Sequence, residues 1–394
     1  MTKQYTLKEI TDKKSEQQWL DFPAKLYKGN PHYIRPMDSE IRKIFDPKQN
    51  KLFRHGCATR WLLTDEKGEI VGRIAAFIDP KTANAKDNEQ PTGGCGFFDC
   101  IDDQEAANTL FDAAKQWLQE RGMEAMDGPT NFGDRDYFWG CLVEGFDYDP
   151  IFNMPYNYPY YSKLFEGYGF QDYYKQLTHR REICPGGLDP ILYEKVKRIG
   201  PDYSFEIIDM KNLDKYANDF LTVYNAAWGV IPGVAKISLA HAKALLNSLK
   251  PVIDPRLMHF VYYKGEPVAF FLMMIDMNQI YKGLNGKDHW FNKLRIIWRV
   301  KVSRICDRVI SLAFGVVPEH RSKCLEAGMI CAFEKQALSK GFKYKDLQLN
   351  WIGDFNPAMI KIALSSGATL YKTHITYRYL FDRTKEFKRA KLQK

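Results

Sequence analysis

Short apolar runs broken by a lysine–glycine pair occur at matching places in the two halves of the chain. In "RWLLTDEKGEIVGRIAAFID" two apolar strands flank Lys67–Gly68, and in "MHFVYYKGEPVAFFLMMID" two more flank Lys264–Gly265. Each reads as a hairpin, because a run of strand formers interrupted by a turn dipeptide folds back on itself. A third apolar strand follows and leads into a helix: "GCGFFDCIDDQEAANTLFDAAKQWLQERG" and "VISLAFGVVPEHRSKCLEAGMICAFEKQALSKG". Both helices stop at a glycine, the residue that closes a helix in the left-handed conformation. Each half then finishes with an asparagine, a short helix closed by glycine and a last strand, in "YNYPYYSKLFEGYGFQDYYKQLTHRREI" and "LNWIGDFNPAMIKIALSSGATLYKTHITYRYLF".

Strands mixed with helices in this order predict an α/β fold, a mixed twisted sheet with helices on its faces, in two tandem copies. A chain of 394 residues is long enough for both. The turn-rich stretch "CPGGLDP" (Cys184–Pro190) marks the boundary and divides the chain into residues 1–185 and 186–394. The segment before Thr59 reads as helical and then extended, packed on the first half. The tail "DRTKEFKRAKLQK" reads as polar, helical or frayed.

Composition narrows the class. A 45% hydrophobic fraction with 14% aromatics suits packed domains rather than disorder. No apolar leader follows "MTKQYTLKEI", and the longest apolar run, "FVYYKGEPVAFFLMMI", is interrupted by Lys264 and Glu266. The expectation is a cytoplasmic protein without a transmembrane segment. The eight cysteines form no C-x-x-C pair and the histidines show no ligand spacing, so reduced thiols are expected and a metal site is not. Residues 1–185 carry 24 Lys and Arg against 29 Asp and Glu, whereas residues 186–394 carry 33 against 19. An anionic ligand, if the protein has one, therefore belongs to the second half.

The segment "KGLNGKDHWFNKLRIIWRVKVSRICDR" holds eight basic residues from Lys282 to Arg308, with Phe291, Leu294, Trp298, Val302 and Ile305 at helical spacing. Such a helix most often docks on its own domain with its charges solvated. It also suits an acidic partner or carrier, or peripheral contact with a membrane surface across 282–308. It lacks the aromatic-interleaved basic groove of a nucleic-acid binder.

The strand-to-helix turn "VVPEHRSKCLEA" decides the family resemblance. With the later Asn356, Met359 and Gly367 it resembles the GNAT acyltransferase superfamily in tandem, matching at Val317, Pro318, Arg321, Leu325 and, more loosely, Ala327. "GRIAAFID", "GFF" and "VVPEHR" are similar to segments of a bacterial subgroup of GNAT-like proteins. The resemblance implies a splayed central strand pair and an acetyl-CoA or other acyl-CoA co-substrate. Phe314, Val316 and Val317 would line the pantetheine arm. Arg321, Ser322, Lys323, Cys324 and Leu325 would meet the diphosphate through the helix start, as helix N-termini hold anions. Ser322 and Cys324 stand where the family has glycine, and a Cβ at 324 is expected to crowd the phosphates. The first-half counterpart, "CIDDQEAA", instead places Asp102, Asp103 and Glu105 at the helix start, where they cap it and repel a diphosphate.

The implied activity is N-acyl transfer, with acetyl-CoA foremost, to a small-molecule or peptide amine. The alternatives are a non-catalytic binding protein with a degraded turn, or a carrier-dependent aminoacyl or acyl transferase. As acid or base the resemblance points first to Asp354, then to Asp307. Tyr371 is the nearest phenol to replace the family's thiolate acid, whose position is Ala363. The residue chemistry leaves blander roles open: an Asx turn for Asp354, a core ring for Tyr371, and a helix cap for Asn356 in place of cofactor contact.

Overall fold

The computed structural model describes residues 4–85, 88–229 and 236–391. Among the described residues the strands are β1 (Thr6–Glu9), β2 (Cys57–Thr64), β3 (Ile70–Ile78), β4 (Thr92–Cys100), β5 (Ala125–Gly128), β6 (Cys141–Glu144) and β7 (Gln171–Glu182), then β8 (Tyr203–Ile207), β9 (Met258–Tyr263), β10 (Glu266–Ile275), β11 (Arg308–Val316), β12 (Asp346–Gly353) and β13 (Thr369–Leu380). The helices of the first half are α1 (Lys13–Leu26), α2 (Asp38–Ile44), α3 (Pro80–Ala83), α4 (Gln104–Gln119) and α5 (Tyr161–Tyr168). Those of the second are α6 (Pro190–Val196), α7 (Leu213–Ala227), α8 (Leu239–Leu249), α9 (Met277–Tyr281), α10 (Trp290–Trp298), α11 (Leu325–Ala337) and α12 (Pro357–Ser365).

Both lysine–glycine hairpins form. Lys264 (φ 49°) and Gly265 (φ 88°) are left-handed, the two-residue geometry that matches strand twist. All strands join one sheet in the order β1-β2-β3-β4-β5-β13-β7-β12-β11-β10-β9-β8, with β6 beside β13. The two halves exchange their last strands: β13 lies against β5, and β7 lies against β12. The exchange is a packing event as well as a ladder. Ile375, Tyr377 and Tyr379 of β13 enter the first-half core under α4 and α5, where Tyr377 is fully buried and stacks on Phe165 at 5.3 Å. Each ring buried this way contributes about 1.5–3 kcal/mol. The second core gathers α7, α8 and α11 on β9, β10 and β11.

The N-terminal helices pack on β3 through Trp19 and Phe45, as expected, and also bridge to the second half, where Lys287 pairs with Asp21. The tail differs from expectation: residues 382–391 form no helix. Arg389 is held by Asp172 and Asp354, and the Ala390 N–H donates to Tyr173 O. Among the described residues, no helix is long and apolar enough to cross a membrane.

Candidate functional site

β11 and β12 run parallel but pair only from Arg308–Ile310 to Asp346–Gln348. Ser311 sits at the crotch, its Oγ accepting the Asn350 N–H (3.0 Å) and donating to Asn350 O (3.3 Å). Beyond it the strands part, and Leu312, Ala313 and Phe314 are half-exposed along the open edge. On its other edge β11 pairs with β10, with Ala313 opposite Leu272 and Ser311 opposite Met273. Leu312 is therefore a β-bulge, an extra residue whose backbone groups leave the ladder. Nothing in the sequence announces it.

The open edge ends in the turn singled out above. Val316 pairs with Ala269, and the Val317 N–H donates to Val268 O (2.9 Å). Pro318–His320 makes one 3₁₀ turn, braced by Tyr203 Oη 2.7 Å from His320 Nδ1. Ser322 (φ 63°) and Cys324 (φ 61°) then both adopt the left-handed conformation. These are the two glycine positions of the resembled motif. The backbone shape is kept without the residue that adopts it freely, at a cost of roughly 1–2 kcal/mol per side chain. Leu325 is buried in the core, and no side chain caps the start of α11. Arg321, Ser322 and Lys323 are exposed around that start.

The predicted catalytic side chains do not converge. Asp354 follows β12 at the open end, where Arg389 Nη2 holds it at 2.8 Å and its N–H donates to Lys175 O. Asp307 lies at the opposite end of β11, nine residues and roughly 30 Å from the turn, accepting from Gln279 Nε2 at 2.8 Å. Tyr371 shares that closed end, stacked on Tyr148 at 4.0 Å beside the Arg180 guanidinium, and burial raises its phenol pKa. Asn356 caps α12 by accepting the Met359 N–H (3.2 Å).

The chain supplies a different carboxylate. The loop "NFGDRDYFWG" of the first half reaches the open end of the splay, where Trp351 Nε1 donates to Arg135 O (3.3 Å). Asp136 of this loop is open to solvent yet recessed among surrounding protein. Desolvation, reinforced by the Asp134 carboxylate and opposed by Arg135, pushes its pKa up to about 6. Tyr224 of α7 feels both carboxylates, although burial dominates the rise of its own pKa. One helical turn later Ala227 O accepts from Arg321 Nη2 (3.4 Å), so the end of α7 links the recess to the turn. Glu40 lies nearby: burial lifts its carboxyl to about 7, and Tyr281 donates to it at 3.2 Å. The sequence signal was faint, a D-R-D triplet inside an aromatic run with no periodicity.

No protein-family model matches the chain. Over 369 residues it is 31% identical to the "Bacterial ceramide synthase" of Caulobacter vibrioides (strain NA1000 / CB15N), covering 91% of this chain and 93% of the relative. The chain belongs to the family of this bacterial ceramide synthase. It is also 25% identical over 362 residues to "Protein YghO" of Escherichia coli (strain K12), covering 91% of each. Among solved structures it is similar to a "Tandem GNAT protein from the clavulanic acid biosynthesis pathway (without AcCoA)", with a TM-score of 0.54, 11% identity, and coverage of 96% of this chain and 99% of that one. The fold is thus a tandem GNAT fold, as the turn and the asparagine motif led one to expect.

Within this fold the first half is closed where the second is open. β4 and β5 also part after three residue pairs, Thr92–Gly94 with Ala125–Asp127. There the Thr130 N–H donates to Cys95 O (2.8 Å), and a Cβ on Gly96 would lie 1.7 Å from Thr130 O, so backbone plugs the gap. Asp103 caps α4 by accepting the Ala106 N–H (3.0 Å).

Proposed function

We propose that the protein is an acyl-CoA-dependent N-acyltransferase whose acceptor is the amine of a long-chain amino alcohol. One observation carries the acyl-CoA part: an uncapped helix start behind two left-handed residues, at the mouth of an open strand splay. Such a start presents backbone N–H groups to a diphosphate, and Arg321 and Lys323 add positive charge. The open edge from Leu312 to Val316, half-exposed at Leu312, Ala313 and Phe314, offers free backbone groups to the pantetheine amides. The backbone at the Leu312 bulge serves as donor for the thioester oxygen, where negative charge develops. The relative's name supports the acceptor and a fatty acyl rather than acetyl donor, because a ceramide is a fatty amide of a long-chain amino alcohol.

In the reaction the amine attacks the thioester carbonyl, the C–N bond forms, the C–S bond breaks, and the CoA thiol leaves. The amine must lose a proton, and Asp136, its pKa raised to about 6, is suited to take it. Asp354 is engaged by Arg389 and in this reading organises the end of β12. The two repeats are residues 1–185 and 186–394, the first shaping the acceptor side. The reduced thiols fit a cytoplasmic setting.

Purified protein incubated with palmitoyl-CoA and a long-chain amino alcohol should release free thiol and form the amide in equal amounts, with acetyl-CoA a poorer donor. The second reading, a non-catalytic protein, draws on the side chains at 322 and 324 and on Glu326 at the helix start. It stands if no amide forms and calorimetry detects no CoA ester bound at millimolar concentration.

A further inference from the structure

α10 and the π-turn that follows it, Arg299–Ser303, bury none of their residues completely. One face is docked. Asn292 Nδ2 donates to Leu284 O (3.0 Å) and Lys287 O (2.7 Å), Arg299 donates to Ile280 O and Lys282 O, and Ile296 and Val300 lean on the second core. The opposite face carries the larger apolar groups and leaves them exposed. Trp290 is 64% exposed, Phe291 61%, Leu294 53%, Ile297 54% and Trp298 55%. Positions 290, 294, 297 and 298 share one side of a helix, and 292, 296 and 299 share the other. This corrects the expectation that the apolar stripe docks on its own domain. A narrower polar and aliphatic stripe docks, and the stripe richest in bulk is left outside.

From His289 to Cys306 the segment contains no acidic residue, and Lys293, Arg295, Lys301 and Arg304 are all exposed beside the apolar face. A monomer does not ordinarily leave a contiguous tryptophan- and leucine-bearing face to water. We propose that this face docks on an anionic lipid bilayer, with Trp290, Phe291, Leu294 and Trp298 entering the interface and the flanking cations reaching the headgroups. The chemistry favours lipid over protein as occupant. Tryptophan with flanking lysine and arginine is the pattern of helices that lie in the membrane interface, whereas protein interfaces are depleted of lysine. Each basic residue near an anionic surface adds electrostatic attraction, and the apolar face supplies the rest. The inference rests on exposure and charge, and it stands whether or not the acyl-transfer reading holds.

The test is co-sedimentation of the full chain with vesicles of phosphatidylcholine alone and of phosphatidylcholine with phosphatidylglycerol. The wild type should partition at least tenfold more strongly to the anionic vesicles, and added salt should weaken that preference. W290S with W298S should lose binding to both vesicle types by tenfold or more. K293E with R295E should lose only the anionic preference. All four positions are exposed, and unchanged thermal unfolding of both variants confirms that the fold is kept. Absence of vesicle binding by the wild type overturns the proposal. So does a concentration-dependent dimer, seen by light scattering, that W290S with W298S converts to monomer, since a second copy would then be the occupant.

Discussion

The turn from β4 into α4 and the turn from β11 into α11 occupy equivalent places in the two halves, and they spend their helix starts differently. At α4 the Asp103 carboxylate takes up a backbone donor, and the loop at Thr130 fills the space between the parted strands. At α11 no side chain caps, the strands stay open, and Ser322 and Cys324 are held in a conformation that costs each of them energy. A helix start has a fixed set of N–H groups, and what answers them is set by a few residues in the preceding turn. One half answers them internally and gains stability. The other leaves them without a side-chain partner and retains strain, and in the proposed reading an anion takes them.

The sharpest way to break this comparison lies in the recess over the second splay. D136N should lower kcat by about 10²–10⁴, the range for loss of a positioned base, with CoA affinity unchanged. The wild-type pH profile of kcat/KM should fall on the acid side near pH 6, where the raised Asp136 carboxyl takes up its proton, and the variant should lack that limb. D354N should leave kcat alone and cost at most about 1 kcal/mol, since it removes a partly exposed pair with Arg389. If the two variants exchange these outcomes, Asp354 is the base.

Acid should separate α11 from α4 as well. His259 of β9 is buried beneath α11, edge-on to Phe333, and desolvation holds its pKa down at about 4. A histidine neutral in the fold and protonated when unfolded contributes stability above about pH 6.5 that is lost as the pH falls toward 4. The loss is on the order of 3 kcal/mol. His374 of β13 is also fully buried, and desolvation holds its pKa down at about 3, but it abuts Pro155 beside β6 rather than α4. Hydrogen exchange at pH 5 should therefore rise in α11 before α4, and H259F should reduce the difference.

Much of this contrast was legible in the chain. The acidic cap of α4, the basic turn of α11 and both hairpins follow from local chemistry: carboxylates at a helix start, glycine after lysine, apolar alternation. What stayed hidden depends on residues far apart in sequence. β7 and β13 are equally good strands, and no local feature says that each pairs across to the other half. The recess at Asp136 exists only because a first-half loop meets Trp351, and Asp354 is occupied only because the tail returns with Arg389. The periodicity of α10 showed an apolar stripe without saying which side would be covered.

A smaller effect tests charge at the two turns. Lys323 is exposed at the start of α11, and K323E should weaken CoA binding about tenfold by setting a carboxylate against the diphosphate. D103A in the first half should leave CoA binding unchanged and cost about 1 kcal/mol of stability through the lost cap. Calorimetry and thermal unfolding on the same two variants read both effects, and loss of CoA affinity in D103A would mean that the first turn also binds.

The smallest effect concerns the missing glycines, and the structure reverses the sign expected from a helix start. In ordinary helical geometry each glycine would cost up to about 1 kcal/mol of backbone freedom. Ser322 and Cys324 are not helical: at φ 63° and 61° a Cβ is itself the liability. S322G with C324G should therefore stabilise the protein, by about 1 kcal/mol or slightly more once the greater freedom of glycine in the unfolded chain is subtracted. CoA affinity should hold or rise, because the backbone that meets the phosphates keeps its shape while two side chains leave it. D103G in the first turn is the control. Its position is extended rather than left-handed (φ −149°), so glycine has no strain to relieve there and gives no gain. If S322G with C324G unfolds at a lower temperature than the wild type, the two left-handed residues are not strained, and the contrast between a turn spent on stability and a turn held open for a ligand loses its physical basis.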